Sequence, residues 1–145
     1  MQSLVAPERV QQCAHVLEEC RLDVLGVTET WLPDGVGREM HGYEFSPGCA
    51  YSYNGDGSHG RGGVAFYVRK GIVFEPLRGE EHPCLHTIRI SVERGDDLYI
   101  AVFYCPPGGS MERRECFDVL LRWVRRFSGL GRLVVLGDFN GEGLG

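Results

Sequence analysis

Hydrophobic positions along the chain fall into two rhythms, one near a helical period of about 3.6 residues and one of alternating or unbroken apolar runs. The helical rhythm begins at Pro7, a residue suited to a first helical position. Val10, Cys13, Ala14, Leu17 and Cys20 follow at offsets of three and four, forming one apolar stripe with both cysteines expected in the core. Residues 24–28, Val-Leu-Gly-Val-Thr, then read as a strand that delivers Glu29 at its carboxyl end. Thr30, Trp31, Leu32 and Pro33 come next, and the proline discourages helix at the residue before it. From residue 33 to residue 63 glycine and polar residues dominate, predicting a long irregular surface segment rather than a second domain. Residues 64–68, Val-Ala-Phe-Tyr-Val, return to strand composition.

Residues 86–92 alternate, with Ile88, Ile90 and Val92 on one side and Thr87, Arg89 and Ser91 on the other, so one face is expected to be buried. A short polar loop over residues 93–97 closes a hairpin onto residues 98–104, which are apolar almost throughout, as a central strand covered on both faces would be. Cys105-Pro106-Pro107-Gly108-Gly109 stops that strand. Ser110 is suited to cap a second helix, with Glu112 near its positive end. Its predicted stripe is Phe117, Leu120, Leu121, Val124 and Phe127, and Arg122, Arg125 and Arg126 form a solvated face. Gly129 and Gly131 break the helix before a last strand, Leu133-Val134-Val135-Leu136, whose continuous apolar run predicts burial on both faces. Strands backed by helices give a layered α/β arrangement.

At 145 residues the chain suits one domain with a buried core. Its 43% hydrophobic and 24% charged content is that of a globular protein, not a disordered or membrane-embedded one. Six cysteines show neither a Cys-x-x-Cys pair nor the histidine spacing of a zinc site, so reduced thiols in an intracellular setting are expected. No basic start followed by an apolar run marks a signal peptide, and no stretch approaches transmembrane length. A net charge of −5 weighs against a strongly basic nucleic-acid-binding surface, while leaving room for a local patch that engages phosphates with a bound metal.

Chemistry concentrates after the last strand. Gly137 turns the backbone, and Asp138 and Asn140, two residues apart in an extended segment, share a face while Phe139 turns toward the core. Two readings stand side by side. One is an Asx turn that closes the strand; the other is a carboxylate and an amide at a sheet rim, placed to hold a water, a metal ion or a phosphate oxygen. Glu29 and Tyr104 are likewise polar tips at strand ends, with the plainer alternatives of an exposed charge and amphipathic packing. Residues 55–60 spell Gly-x-Gly-x-x-Gly, but a dinucleotide site needs a preceding strand and a helix starting inside the motif, and a strand follows instead. A flexible loop is the better reading; His59 and Arg61 are candidates to touch a substrate, with exposed loop residues as the simpler account.

Read together, four blocks resemble the endonuclease/exonuclease/phosphatase superfamily, and more closely the endonuclease domains of non-LTR retrotransposons. They are Val27-Thr28-Glu29-Thr30-Trp31-Leu32, Gly62-Gly63-Val64-Ala65-Phe66-Tyr67-Val68, Tyr104-Cys105-Pro106-Pro107 and Gly137-Asp138-Phe139-Asn140. The resemblance implies two packed β-sheets flanked by helices, a four-layer sandwich similar to that of pancreatic deoxyribonuclease and the apurinic endonucleases. It implies metal-dependent phosphodiester hydrolysis, with Glu29 matching the acidic residue that binds Mg²⁺ or Mn²⁺. Tyr104 matches the tyrosine that hydrogen-bonds the scissile phosphate, Asp138 the aspartate that orients or deprotonates water, and Asn140 the asparagine that holds the phosphate. DNA is the implied partner, no membrane is involved, and the full element would carry a reverse transcriptase on the same chain and act in the nucleus if its target is genomic DNA.

Two departures shape the expectation. The family's first strand ends in an asparagine at the metal site, whereas the only asparagines here are Asn54 and Asn140. The family also ends in a Ser-Asp-His block, whereas all five histidines, His15, His41, His59, His82 and His86, precede the second helix. The chain is therefore expected to be a partial domain over residues 1–145, lacking the first strand and the C-terminal strands, and inactive by itself. The alternative is a non-catalytic remnant or a weak nucleic-acid- or partner-binding fragment.

Overall fold

The computed structural model describes residues 4, 7–32, 37–49, 51–52, 60–61, 63–78, 82–106 and 111–140. Helix α1 (Pro7–Cys20) leads into β1 (Val24–Thr28). Strands β2 (Tyr43–Pro47), β3 (Tyr51–Ser52), β4 (Gly60–Arg61), β5 (Val64–Arg69), β6 (Phe74–Pro76), β7 (Leu85–Ile90) and β8 (Leu98–Tyr104) follow, then α2 (Met111–Phe127) and β9 (Arg132–Asp138). The first sheet has the order β1-β5-β2, the second β6-β7-β8-β9, and β3 and β4 pair only with each other. Every pairing is antiparallel except β8 with β9, which α2 connects as a crossover.

Three apolar clusters define four layers. The side of α1 that carries Cys13 and Leu17 packs on the first sheet with Val27 and Tyr67. Between the sheets, Val64, Phe66 and Val68 meet Ile88, Ile100 and Val102. On the outer face of the second sheet, Cys116, Val119, Leu120, Trp123 and Phe127 of α2 cover Leu85, Tyr99, Ala101 and Phe103. The order helix, sheet, sheet, helix is the expected α/β sandwich. Gly26 lets the sheets come close, because a Cβ there would stand 3.2 Å from Val102 Cγ2 and 3.6 Å from Leu136 Cδ1. None of the described helices is long and apolar enough to cross a membrane.

Several expectations change. Cys20 is exposed at the last turn of α1, and Leu22 packs beneath that end in its place. The segment read as irregular contains β2, which adds to the edge of β5 through pairs such as Phe45↔Tyr67. Edge position tolerates Pro47 because its missing N–H is not needed by a further strand. The last strand β9 is not buried on both faces: Leu133 and Val135 face α2, whereas Val134 and Leu136 are 38% and 37% exposed. It is the edge of its sheet among the described residues, so the first sheet covers its inner face only in part. Thr87 is buried although it was placed on the polar side, because α2 covers that face of β7. Val92 lies beyond β7 and is exposed. Residue 110, most of the Gly-x-Gly-x-x-Gly segment and His59 lie outside the described residues, as does the side chain of Arg61.

Candidate active site

One rim of the sandwich collects the carboxyl ends of β1, β8 and β9. In the parallel β8–β9 ladder Tyr104 is the register partner of Asp138, so both side chains lie on the face turned toward the first sheet. Glu29 arrives from that first sheet, one residue past β1, and its Oε1 accepts a hydrogen bond of 2.7 Å from the Tyr104 hydroxyl. Two carboxylates carried by different sheets thus flank one phenol. Asp138 keeps the ladder going through its carbonyl, which accepts from the Cys105 amide at 2.8 Å.

The turn after β9 is fixed by its own polar groups. Asp138 Oδ1 accepts from the Asn140 amide N–H at 3.0 Å, which is the Asx turn. Asn140 adopts φ +43°, a left-handed conformation that asparagine tolerates, and its Nδ2 donates to the Cys105 carbonyl. The Asx-turn reading is the one these hydrogen bonds show, and the turn sets the carboxylate and the amide at the rim. Phe139 turns the other way onto Phe103, with ring centroids 5.2 Å apart. Gly137 is required by space as well as conformation, since at φ +143° a Cβ would lie 1.8 Å from the Phe103 carbonyl oxygen.

Backbone strain gathers at the other half of the rim. Glu29 and Trp31 hold φ values of +51° and +57°, a region that bulky side chains rarely occupy. Buried Thr30 between them is the anchor. Its N–H donates to Gly63 O at 3.2 Å, its carbonyl accepts from Leu4 N at 2.8 Å, and its Oγ1 accepts from Leu32 N at 3.4 Å. A Cβ on Gly63 would stand 2.6 Å from Thr30 Oγ1, so the loop before β5 must carry glycine there. With Thr30 pinned inward, Glu29 and the 46%-exposed Trp31 project on the rim.

Arg113 brings the cation that sequence reading missed. From the first turn of α2 its Nη1 donates to the carbonyls of Pro106 and Asn140, each at 3.3 Å, and the guanidinium lies 5.4 Å from the Phe117 ring centroid. The available signal was weak: a basic residue in a helix's first turn opposes the dipole and so hints at another partner. The donor set at the rim is carboxylate, phenol and amide, all hard oxygen or nitrogen groups. Carboxylate oxygens are the donors that hard divalent cations take, and Glu29 and Asp138 bring them to this rim.

The sequence model of the endonuclease/exonuclease/phosphatase family matches residues 5–142. The chain belongs to that family. It is similar to a probable RNA-directed DNA polymerase from transposon BS of Drosophila melanogaster, 30% identical over 122 residues that make up 83% of this chain and 12% of that protein. Among solved structures it resembles the endonuclease domain of TRAS1, a telomere-specific non-LTR retrotransposon, with a TM-score of 0.65 at 16% identity over 96% of this chain and 56% of that one. It also resembles the human Nocturnin catalytic domain with bound sulfate, with a TM-score of 0.60 at 17% identity over 93% of this chain and 57% of that one. At these identities the structural likeness shows the shared fold. The chain spans a little over half the length of both solved relatives.

Proposed function

We propose that the chain is part of a metal-dependent phosphodiesterase, a DNA-nicking endonuclease domain of a retrotransposon whose full element carries a reverse transcriptase on the same polypeptide. The observation that carries this reading is the contact across the two sheets, with the Tyr104 hydroxyl on Glu29 Oε1 and Asp138 beside Tyr104 in register. A divalent ion held at Glu29, Mg²⁺ or Mn²⁺, supplies neutralisation of phosphate charge. The chain's own groups do the rest. Asp138 orients the attacking water and takes its proton, while the Tyr104 hydroxyl and the Asn140 amide donate to phosphate oxygens where charge develops. In a full element acting on genomic DNA this work is nuclear.

One observation favours a second reading, a non-catalytic remnant: the Asn140 amide is already engaged by the Cys105 carbonyl and one Asp138 oxygen by the Asx turn. Catalytic groups that act as a unit fail together, so four residues without the rest of the site support little turnover. The decisive assay measures Mg²⁺-dependent nicking of supercoiled DNA by this chain and by one completed to the full length of a retrotransposon endonuclease domain, each with its Glu29→Gln variant. Nicking by the completed chain that Glu29→Gln removes is the expected outcome, with little by the 145-residue chain. If completion restores nothing, the remnant reading stands.

A further inference from the structure

Behind the rim, on the face of the second sheet covered by α2, a different set of ligands meets. The turn before β7 carries His82 and Cys84, and α2 carries Cys116. A ring nitrogen of His82 and the two Sγ atoms all lie within 4.8 Å of one another. Both thiols are fully buried, and the His82 side chain is 17% exposed. The turn is stitched in place: the Cys84 amide donates to His82 Nδ1 at 3.2 Å, and the Cys84 carbonyl accepts from Tyr104 N at 2.9 Å. On the far side of the ring, Nε2 stands 3.4 Å from Glu115 Oε1. The Glu115 carboxylate on one side and the Cys84 amide on the other orient the imidazole with the proton on Nε2, and an incoming metal ion would take the Nδ1 lone pair over from the Cys84 amide. A carboxylate behind the ring is how metal-binding histidines are ordinarily oriented.

We propose that His82, Cys84 and Cys116 form a Zn²⁺ site that ties the turn before β7 to α2. Thiolate and imidazole select zinc over the hard ions suited to the Glu29 rim, so the two sites do not compete. With Zn–S of about 2.3 Å and Zn–N of about 2.0 Å, tetrahedral ligand atoms stand roughly 3.5–3.8 Å apart, so a triangle whose atoms lie within 4.8 Å of one another closes by at most about 1.3 Å around the ion. Each thiol gives up one proton as its sulfur binds, so Zn²⁺ enters and two protons leave with no change in net charge. Three protein ligands leave the fourth position of a tetrahedral ion to a water.

The chemistry disfavours the plainer uses of these cysteines. Both thiols are fully buried, out of reach of a second thiol or an electrophile from solution. Simple packing explains two buried thiols but not the oriented imidazole that completes their triangle. The bound ion would brace the rim from behind, because the Cys84 carbonyl holds the Tyr104 amide and the cluster's apolar neighbour Cys105 holds Asn140.

The test uses the 145-residue chain, reduced and stripped of metal, titrated near neutral pH with Zn²⁺ against a chromophoric chelator and with Co²⁺ as the spectroscopic substitute. Expected are one ion per chain, release of two protons, a thiolate-to-cobalt charge-transfer band and a raised melting temperature. Cys84→Ala and Cys116→Ala should lose the band while Cys20→Ala keeps it. Because a core variant can fail to fold, His82→Gln at the partly exposed position is the second arm: it should lower the metal-free melting temperature only slightly, through the lost Cys84 amide and Glu115 contacts, and abolish both tight binding and the further rise in melting temperature on adding Zn²⁺. Glu115→Gln should weaken binding about tenfold through the ring it orients. Absence of the band with the wild type, binding unchanged by His82→Gln, or a Cys84–Cys116 disulfide in the chain as isolated would overturn the proposal.

Discussion

His86 lies between the two sheets, its Nε2 2.9 Å from Ser46 Oγ and its ring 5.7 Å from that of Phe66. Burial pushes its pKa down from 6.5 to about 4. The unfolded chain therefore takes up this proton first as pH falls. Above the unfolded value the group contributes no pH dependence; between that value and about 4 it removes stability progressively, by up to about 3 kcal/mol. Urea unfolding of the wild type and of His86→Phe across this window checks it: the wild type should lose stability relative to the variant as the solution is acidified. Parallel curves would show that His86 does not titrate in this way. The sequence showed the alternation that places His86 beside Ile88, but not its partner, because Ser46 lies on a strand of the other sheet.

Among the elements, α2 shows how far periodicity reaches. Its existence and the solvated arginines were legible, but the buried stripe is Cys116, Val119, Leu120, Trp123 and Phe127, and the predicted Leu121 is 48% exposed. A helix of this composition has apolar residues on adjoining faces, and the sheet beneath decides which are covered. Trp123, fully buried over the second sheet, should cost about 3–5 kcal/mol on Trp123→Ala, whereas Leu121→Ala should stay within about 0.5 kcal/mol. Chemical denaturation of the two variants separates the stripes; equal losses would refute the observed face. Of the strands that sequence reading missed, the two that join the main sheets share a trait. Both β2 and β6 are short, end in proline and sit at sheet edges, so the neighbouring strand's hydrogen bonds rather than their own pattern make them strands.

For the whole molecule the consequential feature is the outer edge of β9, unpaired among the described residues, with Val134 and Leu136 half-covered and Phe139 exposed beside it. An apolar strand edge is a template for another chain. The isolated chain is expected to self-associate with rising concentration. Val134→Lys should reduce the association by placing a charge at the partly exposed margin of the inter-sheet face without disturbing the Leu133 and Val135 contacts with α2. Sedimentation or size-exclusion measurements over a concentration series would show it. A monomer at all concentrations would count against this reading.

What the sequence by itself determined was local: the two helices, most of the longer strands, the glycine after Leu136, and the polar residues that follow strand ends. Those features follow from backbone period and side-chain size, which neighbouring residues carry. Motif resemblance also picked out Glu29, Tyr104, Asp138 and Asn140 as a set. Only the tertiary structure decided that Tyr104 and Asp138 lie side by side in a parallel ladder and that Glu29 reaches them from the other sheet. It alone brought His82 and Cys84 to Cys116, thirty-two residues beyond Cys84. Strand order, register and the covered face of each element depend on contacts between segments far apart in the chain, and no local pattern specifies them.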